Sequence, residues 1–107
     1  GINFSGPESD MVVGCHSDNQ RIVFMTLGES RLQLVQFFPG GRPLVDNLAS
    51  DIGSVHLCFK TDDIQEVYEK FTSQGVTFHC PPRHIGPGWV TYFRDPDGII
   101  LEMAQDD

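Results

Sequence analysis

Gln33 and Glu102 are oxygen-bearing side chains that recur at one offset. Residues 22–36 (IVFMTLGESRLQLVQ) run parallel to residues 91–105 (TYFRDPDGIILEMAQ) at a spacing of 69, so that Phe24 matches Phe93, Leu32 matches Leu101, Leu34 matches Met103 and Gln36 matches Gln105. Between matched apolar residues stands an amide in one copy and a carboxylate in the other, which places an oxygen ligand twice. Each copy reads as strand, tight turn and strand, and the pair implies two facing sheets with polar groups converging between them. His56 adds a nitrogen donor to these two oxygens. Val55, Leu57 and Phe59 alternate with Ser54, His56 and Cys58, so one strand face is apolar and the other carries an imidazole able to donate, accept or ligate.

The elements that must position these groups follow from the pattern around them. Residues 11–15, 21–27 and 31–38 are short runs of Val, Ile, Leu and Phe broken by Ser-Asp-Asn and Gly-Glu-Ser, and read as three antiparallel strands. Residues 39–50 carry Pro39, Gly40, Gly41 and Pro43 without periodicity and read as a crossing between two halves. After the strand bearing His56, the oxygens of Thr61, Asp62 and Asp63 offer a helix cap. Ile64, Val67, Tyr68 and Phe71 then fall at i, i+3, i+4 and i+7, and Gly75 ends the helix. The spacing predicts a helix over 62–74 whose apolar face packs on Val55, Leu57 and Phe59. Strands follow near 76–80, 89–94 and 99–104, the last two joined through Asp95-Pro96-Asp97-Gly98, where Gly supplies the positive φ of a tight turn. The second half is therefore β-α-β-β-β. Gly1-Ile2-Asn3-Phe4 resembles Gly75-Val76-Thr77-Phe78, so the first half reads as the same unit lacking its first strand and helix.

Other chemistry-bearing pairs do not converge. His79-Cys80 and Cys15-His16 are adjacent, and neighbouring strand residues point to opposite faces, so both pairs read as structural. Cys58 shares the face of His56, which leaves two readings, a residue lining the pocket and, the commoner one, a small buried apolar residue. Residues 83–89 (RHIGPGW) carry two glycines but no helix follows to bind phosphate, which leaves a flap or an ordinary hairpin connection.

Composition narrows the function classes. The 107 residues make one domain with a self-sufficient core. A formal charge of −8 without a Lys/Arg cluster argues against nucleic acid, whose affinity comes from cations displacing counterions. Three cysteines without C-x-x-C spacing indicate reduced thiols. No apolar run reaches membrane-span length and the start GINFSGPESD has no signal-peptide pattern, so a cytoplasmic protein with no membrane partner is expected.

With S-V-H-L at the first strand of a β-α-β-β-β unit and F-R-D-P-D-G-I-I-L-E at its last hairpin, the chain resembles the vicinal oxygen chelate superfamily. That superfamily includes glyoxalase I, methylmalonyl-CoA epimerase, fosfomycin-resistance enzymes, extradiol dioxygenases and metal-free bleomycin-binding proteins. The resemblance implies an α+β fold of tandem βαβββ modules curving into a cup, with the helix on its convex face. It implies an incomplete first module over 1–38, a linker over 39–52 and a complete module over 53–105. Carried over residue by residue, the family's metal ligands fall on Gln33, His56 and Glu102, with a fourth expected upstream of residue 1. Such a mixed N/O set suits a divalent Zn, Ni, Co, Mn, Mg or Fe ion. Glu102 is the expected catalytic base, and no other cofactor-binding residue is expected. The implied function is a metal-dependent lyase or isomerase acting on a small oxygenated metabolite through an enediolate or enolate. The alternatives are a metal-free drug-binding module, which the acidic chain suits if the drug is cationic, and an Fe(II) extradiol dioxygenase. An uncovered first module predicts a homodimer.

Overall fold

The computed structural model describes all 107 residues and divides into two compact units, Gly1–Arg42 and Pro43–Asp107. The first unit contains β1 (Ile2–Phe4), α1 (Pro7–Val13), β2 (Asn19–Leu27) and β3 (Ser30–Phe38), the strands forming an antiparallel sheet in the order β1-β2-β3. Within β1, Ile2 and Phe4 pair with Ile22 and Gln20 of β2.

The strand expected over 11–15 is instead the end of α1 and its cap. Pro7 stands in the first turn, where its missing N–H costs nothing, and Gly14 closes the helix at φ 83 with its N–H donating to the Asp10 carbonyl. The Met-Val-Val run that mimics a strand is not a core signal at all, since Met11 and Val12 are 76% and 87% exposed.

The second unit contains β4 (Leu57–Lys60), α2 (Ile64–Ser73), β5 (Thr77–Phe78), β6 (Arg83–Ile85), β7 (Gly88–Arg94) and β8 (Ile100–Asp106). Its sheet runs β4-β8-β7-β5, with β6 paired to β7. Residues 83–89 are thus an ordinary β6–β7 hairpin rather than a flap. The α2 N-terminus is held three ways: Asp63 Oδ1 accepts from Glu66 N–H at 3.1 Å, Thr61 Oγ1 from Asp63 N–H at 3.3 Å, and Gln105 Oε1 from Ile64 N–H at 2.7 Å. At the other end Gly75 takes φ 89, and Val76 N–H donates to the Phe71 carbonyl at 3.0 Å, which closes a Schellman turn.

The helix does not pack where the sequence pattern puts it. β4 and β5 lie at opposite ends of the sheet path, so α2, which joins them, crosses the two strands between, β8 and β7. Its Ile64 therefore buries against Phe93 and Met103, with Val67, Phe71, Val76, Phe78 and Leu101 packed around them. Tyr68 meets Phe78 edge to face at 4.8 Å, and Phe71 meets Phe93 at 6.0 Å. Val55 stays 85% exposed and Leu57 46%, while Phe59 borders a groove of about 420 Å³ beside Val67 and Phe71.

The two repeated hairpins also differ in register. Leu27 pairs with Ser30, leaving a two-residue turn of Gly28 and Glu29, whereas Arg94 pairs with Ile100, leaving five residues, 95–99. In the longer turn Asp95 Oδ1 accepts from the N–H groups of Asp97 and Ile99 at 2.9 and 2.8 Å. Gln33 consequently opposes Phe24, but Glu102 opposes Tyr92 rather than Phe93. The matching of Phe24 with Phe93 is a match of sequence only. By strand position Phe24 corresponds to Tyr92, and Phe93 to Met25, because a one-residue slip changes the face of every side chain on that strand.

Candidate functional site

β8 is the central element of the site, paired on one side with β7 and on the other, in parallel, with β4. Alternation along β8 turns Met103 into the core under α2 and sends Glu102 to the opposite face. Cys58 opposes Glu102 from β4 and Tyr92 opposes it from β7. His56 stands one residue before β4 begins, and its Nε2–H donates to Glu102 Oε1 at 2.9 Å. The two side chains keep 26% and 21% of their surface exposed, so the pair is accessible without being freely solvated. The Tyr92 ring lies 4.9 Å from the His56 ring at a 53° tilt.

Of the three residues singled out as ligands, the structure brings together His56 and Glu102. Gln33 is in the other unit, exposed on β3, where it shares a sheet face with Phe24, over whose ring the Arg31 guanidinium lies at 4.1 Å. No further His, Cys, Asp or Glu joins His56 and Glu102 in a group of three.

Partial desolvation on the sheet face, and then the Glu102 carboxylate, push the Cys58 thiol and the Tyr92 phenol above their ordinary values. Both therefore hold their protons at neutral pH, and Cys58 is a poor nucleophile there. Cys58 is also exposed, not the buried residue that its apolar neighbours imply. His16 and His79 lie outside the strands, and each is bonded to neighbouring side chains. His16 Nδ1–H and Nε2–H donate to Asp10 and Asp18 at 2.7 and 3.2 Å, and His79 Nε2 accepts from Arg94 Nε–H at 3.2 Å.

Tyr92 is the site residue that sequence reasoning misses. Its only signal is parity with Glu102 across the hairpin, which depends on the turn length, and five-residue and two-residue turns give opposite answers. The donor set itself is suited to a divalent cation: an imidazole nitrogen and a carboxylate oxygen already meet at 2.9 Å, and these are the atoms a cation of borderline or hard character takes. The same pair can also move a proton, since the imidazole N–H stabilises charge on the carboxylate.

Residues 8–103 match the family model of the Glyoxalase/Bleomycin resistance protein/Dioxygenase superfamily. Over 100 residues the chain is 27% identical to biphenyl-2,3-diol 1,2-dioxygenase 3 of Rhodococcus globerulus, covering 89% of this chain and 52% of that one. It thus spans about half the length of this curated relative. Among solved structures, a glyoxalase family protein from Bacillus cereus superposes with a TM-score of 0.78 at 22% identity over 98% of this chain and 74% of that one. A lactoylglutathione lyase from Agrobacterium tumefaciens superposes with a TM-score of 0.57 at 23% identity over 79% and 68%. At such identities the structural likeness carries the fold alone. The family match covers nearly the whole chain, and the chain belongs to the Glyoxalase/Bleomycin resistance protein/Dioxygenase superfamily.

Proposed function

We propose that this protein is a metal-dependent enzyme of the lyase or isomerase type, acting on a small metabolite that carries neighbouring oxygens. The observation that carries the reading is the 2.9 Å contact between His56 Nε2 and Glu102 Oε1 on an accessible sheet face. His56 and Glu102 would hold the divalent cation, which when bound supplies Lewis-acid stabilisation of negative charge on a substrate oxygen. Glu102 removes the proton from the carbon beside the substrate carbonyl, and His56, whose Nε2 meets Glu102 Oε1 at 2.9 Å, would hold the cation beside that carboxylate while it does so. Tyr92, protonated at neutral pH, walls the site beside both residues. A metal-free binding module would have no use for this pairing.

A second reading, Fe(II)-dependent ring cleavage, is favoured by the relative named as a biphenyl-diol dioxygenase. Both readings are tested on protein purified without chelator. Elemental analysis is expected to find a divalent metal that Glu102→Ala loses while remaining folded, and Gln33→Ala checks the ligand assignment drawn from the repeat. Full metal content in Glu102→Ala would overturn the site. Solvent deuterium entering an α-hydroxy ketone supports the proton-transfer reading, and dioxygen uptake with a catechol supports ring cleavage. A homodimer remains part of the proposal, supported by the unpaired outer edge of β3, and sedimentation equilibrium decides it.

A further inference from the structure

His56 is carried by a segment that has little to hold it. Residues 43–56 contain no helix or strand, and their apolar side chains face solvent: Val45 is 73% exposed, Leu48 61% and Ile52 fully. Several of its residues line a cavity of about 320 Å³ together with Ile99 and Ile100. Its hydrogen bonds from Leu48, Asp51 and Ser54 are internal. Only two side chains outside the segment bond to it. One is Glu102, through His56. The other is Arg94, whose Nη1–H donates to Asn47 Oδ1 at 2.8 Å and whose Nη2–H donates to the Asn47 carbonyl at 2.9 Å.

Arg94 is itself fixed. Nη1–H also donates to the Gly98 carbonyl at 3.0 Å, and Nε–H donates to His79 Nε2 at 3.2 Å. None of these partners is a carboxylate, so the guanidinium is used as a geometric fork and not as half of an ion pair. Two residues from Tyr92 on β7, Arg94 emerges on the same sheet face as Glu102, and the His79 ring lies 6.1 Å from the Tyr92 ring, centre to centre. Arg94, His79, Tyr92 and His56 thus form a continuous row along that face.

We infer that Arg94 is a positioning residue, which sets the placement of His56 against Glu102 by clamping Asn47. The inference rests on the proposed function only in its metal-binding arm, because the placement of the imidazole is measurable without metal. Full-length protein labelled with ¹⁵N-histidine serves for both arms. In Arg94→Lys, which keeps the charge and loses the fork, and in Asn47→Ala, the His56 ring nitrogen signals are expected to move toward those of a free imidazole. The affinity for Zn²⁺ in isothermal titration is expected to fall about tenfold or more, the scale on which groups supporting a ligand act. Asn47→Asp, which retains the Oδ1 acceptor, is expected to hold both values near the parent. Ile52→Ala, in the same segment but touching neither anchor, is expected to leave them unchanged. Folded Arg94→Lys and Asn47→Ala with unaltered His56 signals would overturn the inference. Should Arg94→Lys fail to fold, Asn47→Ala decides alone. A parent protein that binds no Zn²⁺ or other divalent ion would instead overturn the metal-dependent function, and the ring signals would still decide the role of Arg94.

Discussion

The two hairpins share a sequence pattern but not a structural fate. β8 is paired along both edges and covered on one face by α2, whereas β3 is paired along one edge only. The buried apolar residues follow this difference. Ile64, Phe93, Ile100 and Met103 are buried in the second unit, and Ile22 alone in the first. Leu34, the match of Met103, is 50% exposed while Met103 is 4%. Alternation of apolar residues therefore specifies which face of a hairpin is able to bury, and for Phe93 and Met103 a third element, α2, makes it do so.

The sharpest way to break the comparison is to truncate residues at corresponding positions. Phe93→Ala should cost about 3–5 kcal/mol in urea unfolding, as a large core deletion, and Met25→Ala less than about 1 kcal/mol. Equal costs would show that the first unit has a hidden core of its own. A smaller effect separates two glycines. A Cβ on Gly88 would collide with the Gln105 carbonyl oxygen across β7–β8, so Gly88→Ala should cost about 2 kcal/mol by overpacking. Gly28 meets nothing but takes φ 58 in its turn, so Gly28→Ala should cost about 1 kcal/mol through the backbone alone.

The smallest effect is electrostatic and confined to the first unit. Hydrogen bonding to Asp10, and secondarily to Asp18, raises the His16 pKa above its ordinary 6.5, while the same contact lowers that of Asp10 below 3.8. The His16 contribution to stability is full below its unfolded pKa and is lost as pH rises through the raised folded value. That of Asp10 is present above its unfolded pKa and is lost as pH falls through the depressed one. The bracket between α1 and β2 is accordingly firmest between these limits. An NMR titration should place His16 above the ordinary histidine range, and Asp10→Asn should bring it down.

The parts legible in the sequence are those where local chemistry and tertiary role coincide. α2 carries its cap, its apolar stripe and its terminal glycine within 62–75, and β7 and β8 carry an Asp-Gly turn between apolar runs. The His56–Glu102 meeting is legible because alternation puts each opposite a known apolar neighbour. The helix face is misassigned because strand order is invisible in sequence, and adjacency in the chain makes β4 the natural but wrong partner. Register is illegible for a related reason: whether Asp95-Pro96-Asp97-Gly98 closes a turn of even or odd length depends on the two bonds to Asp95 Oδ1. Asn47 carries no periodic or motif signal, and its importance lies in a single arginine 47 residues away.

The parallel contact of β4 with β8 has a kinetic consequence. The β7–β8 hairpin closes over five residues, but His56 and Glu102 are 46 residues apart, and their pairing waits for a much larger loop to be drawn in. The site is then among the last features of the second unit to form on refolding. A partly folded chain would show hairpin amides protected from exchange while the imidazole and carboxylate are still apart, so recovery of the His56–Glu102 contact would report complete folding where recovery of secondary structure would not.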